Sequence, residues 1–326
     1  KVLYALQGTG NGHLSRAREL VPLFNKYAEV DVLISGTHGE VALNHPITHQ
    51  LHGLGFIFGK QGGVDLAATA RQLKPVRFIR DLWQLPLKAY DFICNDFEPV
   101  SAYAAKRMGL KVHAVSHQAA FLSPHSPRPT YTKSAFAEWL FKNYAPSTSQ
   151  TAFHFRPYDT FIHTPVIRNE IRALTTAQQG HVTVYLPAYD DKLLVSHFEK
   201  VKGVEWHLFS KHAKEASRFG NIWIRPIENA AFLGSFATSE GLLTGGGFES
   251  PAEALFLGKR LFVIPMHNQY EQHCNVAALD GFGAFSSLQI SSGFHDQLSA
   301  WIQLPPPEPM HFPDESDQIV RTLLSV

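Results

Sequence analysis

A chain of 326 residues with net charge +1, 44% hydrophobic and 17% charged residues has the composition of an ordinary globular protein, and its length suits two domains of about 150 residues better than one core. No segment approaches the roughly 20 apolar residues of a membrane span, Val2–Leu6 is too short for a signal peptide, and no basic run or nucleic-acid motif is present; a cytoplasmic protein that binds neither DNA nor RNA is expected. Cys94 and Cys274 lie far apart without metal or redox spacing and read as packed free thiols. The charge is uneven: residues 1–163 hold 17 Lys/Arg against 11 Asp/Glu, a net +6, which leaves −5 for the rest. A basic half suits an anionic acceptor or a membrane surface, and equally an uneven solvated face.

Val2–Leu6 predicts a first strand, followed by the glycine turn Gly8-Thr9-Gly10-Asn11-Gly12-His13 and a helix with Leu14, Ala17, Leu20, Val21 and Phe24 at helical spacing. The turn resembles a dinucleotide fingerprint, but His13 stands where the third glycine belongs and no acidic residue ends the second strand, Val30–Ile34, so NAD is weakly supported. Among eighteen histidines His13 is singled out because it closes a glycine turn at a helix N-terminus; its unperturbed pKa near 6.5 suits a base at neutral pH. His117 and His163 read as generic loop or strand-end histidines. Glycine, histidine and proline punctuate Gly36–Pro46, an apolar piece runs Leu54–Phe58, and Gly62-Gly63 precedes a helical stretch. Arg71, Lys74, Arg77 and Arg80, with Phe78, Leu82 and Trp83 between them, read first as an amphipathic surface helix with snorkelling bases and second as a membrane- or acceptor-facing patch.

Phe92–Cys94 predicts a short strand with Asn95-Asp96-Phe97-Glu98-Pro99 at its carboxyl end, then a helix through Met108 and a strand Val112–Val115 ending at Ser116-His117-Gln118. Asp96 and Glu98 are either site carboxylates or caps of that helix. Three prolines make Leu122–Thr130 a loop; a helix over Ser134–Phe141 and an aromatic strand over Phe153–Ile162 complete the half. Beyond Thr164–Arg168 a second α/β alternation has strands at Val182–Leu186, Glu205–Phe209, Ile222–Ile224, Gly241–Leu243 and Leu261–Ile264, and a last helix carries Ile319, Val320, Leu323 and Leu324 on one face. No repeat or low-complexity segment appears.

The most informative stretch is Leu242–Asn275. An apolar strand breaks at Thr244-Gly245-Gly246-Gly247; Glu249, Ser250 and Pro251 open a helix, Gly258 ends it, and Pro265 follows the next strand. Such a βαβ unit binds phosphate through free N–H groups and the helix dipole. Glu249 and Glu253, four apart, share one helix face, where a carboxylate suits a ribose diol or simply a solvated acidic surface.

This stretch resembles the donor-binding signature of GT-B glycosyltransferases, the superfamily of the UDP-glucuronosyltransferases, plant secondary-product glycosyltransferases and the peptidoglycan N-acetylglucosaminyltransferase. The resemblance covers nearly the whole chain at fold level, with specific motifs at residues 8–13, 95–99 and 244–275. It implies an α/β fold of two Rossmann-like domains facing a cleft: an acceptor domain 1–163, a nucleotide-sugar domain 164–312, and a helix in 313–326 crossing back. It implies diphosphate on Gly245, Gly246, Gly247, Phe248 and Ser250, ribose on Glu253, and the donor sugar on Gln269, Glu271 and Gln272, with Ile227 beside the base. It also implies His13 as general base oriented by Asp96, with Gly10, Gly12, Glu98 and Gln118 in the acceptor cleft. Two departures stand out: the plant pattern has His at Gly245 and Asn at Glu249, so Glu249 must point away from the phosphates or bind something else.

The expected function is inverting, metal- and cofactor-independent transfer from a UDP-sugar to a hydroxyl acceptor, lipid-linked or a cell-envelope glycan, in the cytoplasm or at the inner face of the membrane. An epimerase or hydrolase would share the donor loop but need further acid/base groups; a binding-only protein would need neither His13 nor Asp96. Glu98 is the alternative base.

Overall fold

The computed structural model describes residues 1–36, 43, 45–54 and 74–325. The glycine- and proline-rich stretch after Gly36, the apolar piece Leu54–Phe58, Gly62-Gly63 and Arg71 therefore lie wholly or largely outside the described residues.

Two parallel sheets organise the molecule. The first holds β1 (Val2–Gln7), β2 (Val30–Ser35), β3 (His49–Leu51), β4 (Phe92–Asp96), β5 (His113–Ser116), β6 (Ser149–Phe153) and β7 (Ile162–His163), in the order β3-β2-β1-β4-β5-β6-β7. The second holds β8 (His181–Tyr185), β9 (Glu205–Ser210), β10 (Ser217–Phe219), β11 (Ile222–Pro226), β12 (Gly241–Gly245), β13 (Arg260–Ile264) and β14 (Phe285–Ser286), in the order β10-β11-β9-β8-β12-β13-β14, with only β10 antiparallel among its pairs. Every residue of β1 is buried, as expected of a parallel strand covered on both faces, and so it carries no alternating pattern.

Strand order reverses between β1 and β4 in the first sheet and between β8 and β12 in the second. A crevice opens at the carboxyl ends of strands where such a reversal occurs, because successive helices there leave to opposite faces. His13 follows β1 and Asp96 ends β4; the glycines 245–247 end β12. The topology thus puts both expected motifs at crevices, one per sheet.

Several boundaries differ from expectation. Phe153–Ile162 is not one strand but the end of β6, a loop and the start of β7. Pro157 has no N–H for a ladder, and the Asp159 carboxylate accepts from the Thr160 N–H at 2.8 Å and the Ser123 hydroxyl at 2.8 Å, turning the chain. Asp96 is the last residue of β4 rather than part of the following loop. The helix Pro75–Gln84 turns Val76, Ile79 and Trp83 outward at 81%, 54% and 65% exposure, so its apolar side chains do not all face the core; Arg107 stacks on Trp83, 4.0 Å from the ring centre. The helix Ser316–Leu324 buries Ile319 and Val320 and ties to the first helix, Asn11–Asn25, through Asp317, which accepts from the Tyr27 hydroxyl at 2.9 Å and the Lys26 ammonium at 3.2 Å. Among the described residues no helix is long and apolar enough to cross a membrane.

Candidate active site

On the first sheet the site begins at Gly10, whose φ of +99° is a conformation that favours glycine. Gly10 precedes the helix Asn11–Asn25 without a side-chain cap. Gly12 comes next to the facing domain: a Cβ there would lie 2.8 Å from a Glu249 carboxylate oxygen, so a larger residue would displace that side chain. His13 sits in the first helical turn with its Nδ1 2.8 Å from Asp96 Oδ1. One turn on, Arg16 donates from Nε to Asp96 Oδ2 at 3.0 Å and from Nη2 to Asp96 Oδ1 at 2.8 Å.

Asp96 is fully buried. Burial alone would raise its pKa, but Arg16 and then His13 more than offset this and hold the carboxyl below its usual range. An ionised carboxylate only accepts, so the proton between the pair belongs on His13 Nδ1, which leaves the Nε2 lone pair for the cleft. That is the tautomer a general base requires.

On the second sheet Phe248 precedes the helix Glu249–Phe256 without a side-chain cap, so the first N–H groups are free for an anion. Gly246 packs beneath the loop: a Cβ would meet the Gln272 Cβ and backbone oxygen at 3.0 Å, and its own carbonyl accepts from Asn275 Nδ2 at 3.0 Å. Glu249 does find another partner, Arg16, whose Nη1 donates to Oε1 at 2.6 Å across the domains. Glu253 is 2% exposed; Arg168 grips both its oxygens, Nη2 to Oε2 at 2.9 Å, and also meets Glu170. Two carboxylates one helical turn apart are thus each held by an arginine from outside their own α/β alternation.

Between the sheets lies a cleft of about 970 Å³. It is lined by Gly10, Gly12, His13 and Gln118 on one side and by Ile227, Gly245, Gly247, Phe248, Glu249, Ser250, Glu253, Gln269, Glu271 and Gln272 on the other. Gln118 Nε2 donates to both Glu271 oxygens at 3.2 Å, and burial pushes the Glu271 pKa up. The Gln272 side-chain oxygen is used by the Met266 N–H at 2.9 Å.

Glu98 is a correction. It is fully buried, does not line the cleft, and caps the helix Pro99–Met108 by accepting from the Val100 N–H at 2.7 Å, the Ser101 N–H at 2.6 Å and the Ser101 hydroxyl at 2.6 Å. With its lone pairs facing those donors it is placed neither as a base nor as an acceptor contact. Gly246 and Asp96 also do not line the cleft, though each touches a residue that does. Conversely His117, read as generic, lines it: its ring stacks on Phe248 at 3.9 Å between centres, and Nε2 lies 2.8 Å from Asn275 Oδ1. Sequence reasoning also passed over Arg16 and Arg168. Arg16 had a signal, a cation beside the apolar positions Leu14, Ala17 and Leu20 and one turn from His13; Arg168 had none.

Two doubly wound α/β domains enclosing a cleft, with a glycine loop and helix N-terminus on one wall and a His–Asp pair on the other, define the GT-B fold. The family model described as Glycosyl transferase family 1 matches residues 1–292, and the chain belongs to that family: it is a glycosyltransferase. Its fold is similar to MurG of Acinetobacter baumannii at TM-score 0.59 and 13% identity, covering 100% of both chains. It is also similar to UGT89C1 of Arabidopsis thaliana, solved complexed with UDP, at TM-score 0.61 and 15% identity over 99% of this chain and 93% of that one. A UDP-glucosyltransferase from Polygonum tinctorium capable of glucosylating indoxyl gives TM-score 0.60 at 12% identity, over 99% and 92%. No curated protein matches.

Proposed function

We propose that this glycosyltransferase transfers a sugar from a UDP-sugar to a hydroxyl acceptor with inversion. The observation that carries the reading is the 2.8 Å pairing of His13, on the cleft wall opposite the free N-terminus of the helix Glu249–Phe256, with the buried Asp96 behind it, whose carboxyl is held below its usual range. His13 Nε2 takes the acceptor proton as the oxygen attacks the anomeric carbon and the bond to diphosphate breaks. Asp96 holds the ring and stabilises the imidazolium. The leaving diphosphate rests on the N–H groups around Gly245–Ser250, where the helix dipole stabilises its charge without a metal.

Residues 1–163 then carry the acceptor, 164–312 the donor, and 313–326 returns to the first domain. Uridine is supported by the UDP bound to the Arabidopsis neighbour. Glu253, fixed by Arg168, still has lone pairs for a ribose diol; Glu271 and Gln272 face the sugar. The acceptor is a hydroxyl compound, lipid-linked or a cell-envelope glycan, met in the cytoplasm or at the inner face of the membrane. The test is product analysis with UDP-α-sugars and a panel of such acceptors in EDTA: a β-linked product supports the mechanism, and an α-linked one, or release of sugar to water alone, contradicts it.

A further inference from the structure

Arg16 neither accepts a proton nor, in the reading above, touches the sugar, yet every nitrogen of its guanidinium is engaged. Nε and Nη2 hold Asp96, Nη1 holds Glu249 at 2.6 Å, and Nη2 also stands 3.3 Å from His13 Nδ1. The side chain is 3% exposed. A guanidinium is a rigid planar fork, so groups bound to its separate arms are fixed relative to one another.

We propose that Arg16 is a positioning residue that couples the donor loop to the catalytic pair: one guanidinium seats Asp96 against His13 and, across the cleft, holds Glu249 at the start of the helix that receives the diphosphate. The coupling explains why Glu249 is tolerated beside a phosphate site, since Arg16 neutralises its charge; Gly12 packs against the same carboxylate. Its functional meaning rests on the reading of His13 as base; the contacts themselves do not.

The electrostatic consequence has a sign. Arg16 beside the ring opposes the imidazolium, Asp96 favours it, and Glu249 offsets Arg16. The other titratable groups around the pair are Tyr4 from β1, Cys94 from β4, His117 beyond β5, and Glu271 from the opposite wall. None of these is hydrogen-bonded to Arg16.

The experiment titrates His13 by NMR in the full chain with ring-labelled histidine and no substrate, the resonance being assigned by its loss in His13→Gln. Arg16→Gln should raise the midpoint and Glu249→Gln should lower it, each through the charge it removes. Glu249→Gln should do nothing further in the Arg16→Gln background, since its influence runs through the arginine. If Arg16→Gln does not fold, Arg16→Lys serves as the background, keeping the charge without the fork. A midpoint unmoved by both single changes, or a Glu249→Gln shift that persists undiminished in either background, overturns the coupling. UDP calorimetry on the same samples separates the two ideas: absent UDP binding with a moving midpoint defeats the donor reading alone, and normal UDP binding with a fixed midpoint defeats the coupling alone.

Discussion

His13 and Asp96 stand 83 residues apart in the chain and 2.8 Å apart in space, with no solvent at the carboxylate. A positioned base contributes about 10²- to 10⁴-fold, so His13→Ala should lose turnover on that scale. Asp96→Asn should lose less, and the double variant little more than His13→Ala, because an orienting carboxylate has nothing to orient once the ring is gone. Steady-state kinetics on the three variants decides; additive losses would mean that Asp96 acts independently. Glu253 behaves differently because it is itself buried and both its oxygens are held by one arginine. Glu253→Ala takes the carboxylate from Arg168 Nε and Nη2 and leaves the guanidinium, 12% exposed, with Glu170 at Nη1; it should destabilise the fold by about 1–3 kcal/mol in denaturant titration, in addition to weakening UDP. A change to Met at both positions should recover most of that stability without recovering UDP affinity. If the double change recovered UDP binding too, the carboxylate would not be a ribose ligand.

At the scale of elements, the donor loop is a strand end, three glycines and a helix start, and the glycines are not equivalent. A Cβ on Gly246 has Gln272 backbone and side chain at 3.0 Å and the Pro265 Cα at 3.3 Å, two of them backbone atoms, so Gly246→Ala forces a small shift between the loop and the helix Tyr270–Leu279, with an expected cost of about 1–3 kcal/mol. At Gly247 nothing lies within 4 Å, so Gly247→Ala should leave the melting temperature nearly unchanged while its methyl intrudes on the cleft and weakens UDP. Thermal melts with and without UDP check both; equal effects of the two changes would contradict this account of the loop.

The same elements show what the sequence makes legible. Strand ends and glycine turns put His13, Asp96 and the 245–247 loop at sheet edges because a buried parallel strand is a continuous apolar run and its end is marked by polar or glycine residues. Glu98 was ambiguous because a cap and a site carboxylate occupy the same place, just before a helix; only the Val100 and Ser101 N–H groups pointing at its oxygens decide it. The Arg16–Glu249 and Arg168–Glu253 pairs, 233 and 85 residues apart, are not legible, since the first needs the relative placement of elements from the two sheets and the second the placement of the segment between them against the helix Glu249–Phe256. The strands β3, β7 and β14 are too short to impose a pattern, and the loop at Pro157 divides what composition alone reads as one aromatic strand.

Over the whole molecule, acid should act through the buried pair. Arg16 and His13 hold the Asp96 pKa below its unfolded value near 3.9, so the stabilisation it gives is fully present above about pH 4 and is lost as pH falls through the lower folded value. Melts between about pH 5 and 2 should show the wild type losing stability more steeply than Asp96→Asn at the acid end. Identical slopes would mean that the carboxylate is not ionised in the fold.

The division of labour between the two walls is open to one direct measurement, calorimetry of UDP binding to wild type and His13→Ala in EDTA. One site of equal affinity is expected in both proteins, because the proposed nucleotide site is the helix N-terminus at Gly245–Ser250 and the proposed base belongs to the opposite wall. No binding in either protein, binding only with added metal, or binding lost with His13 would contradict it.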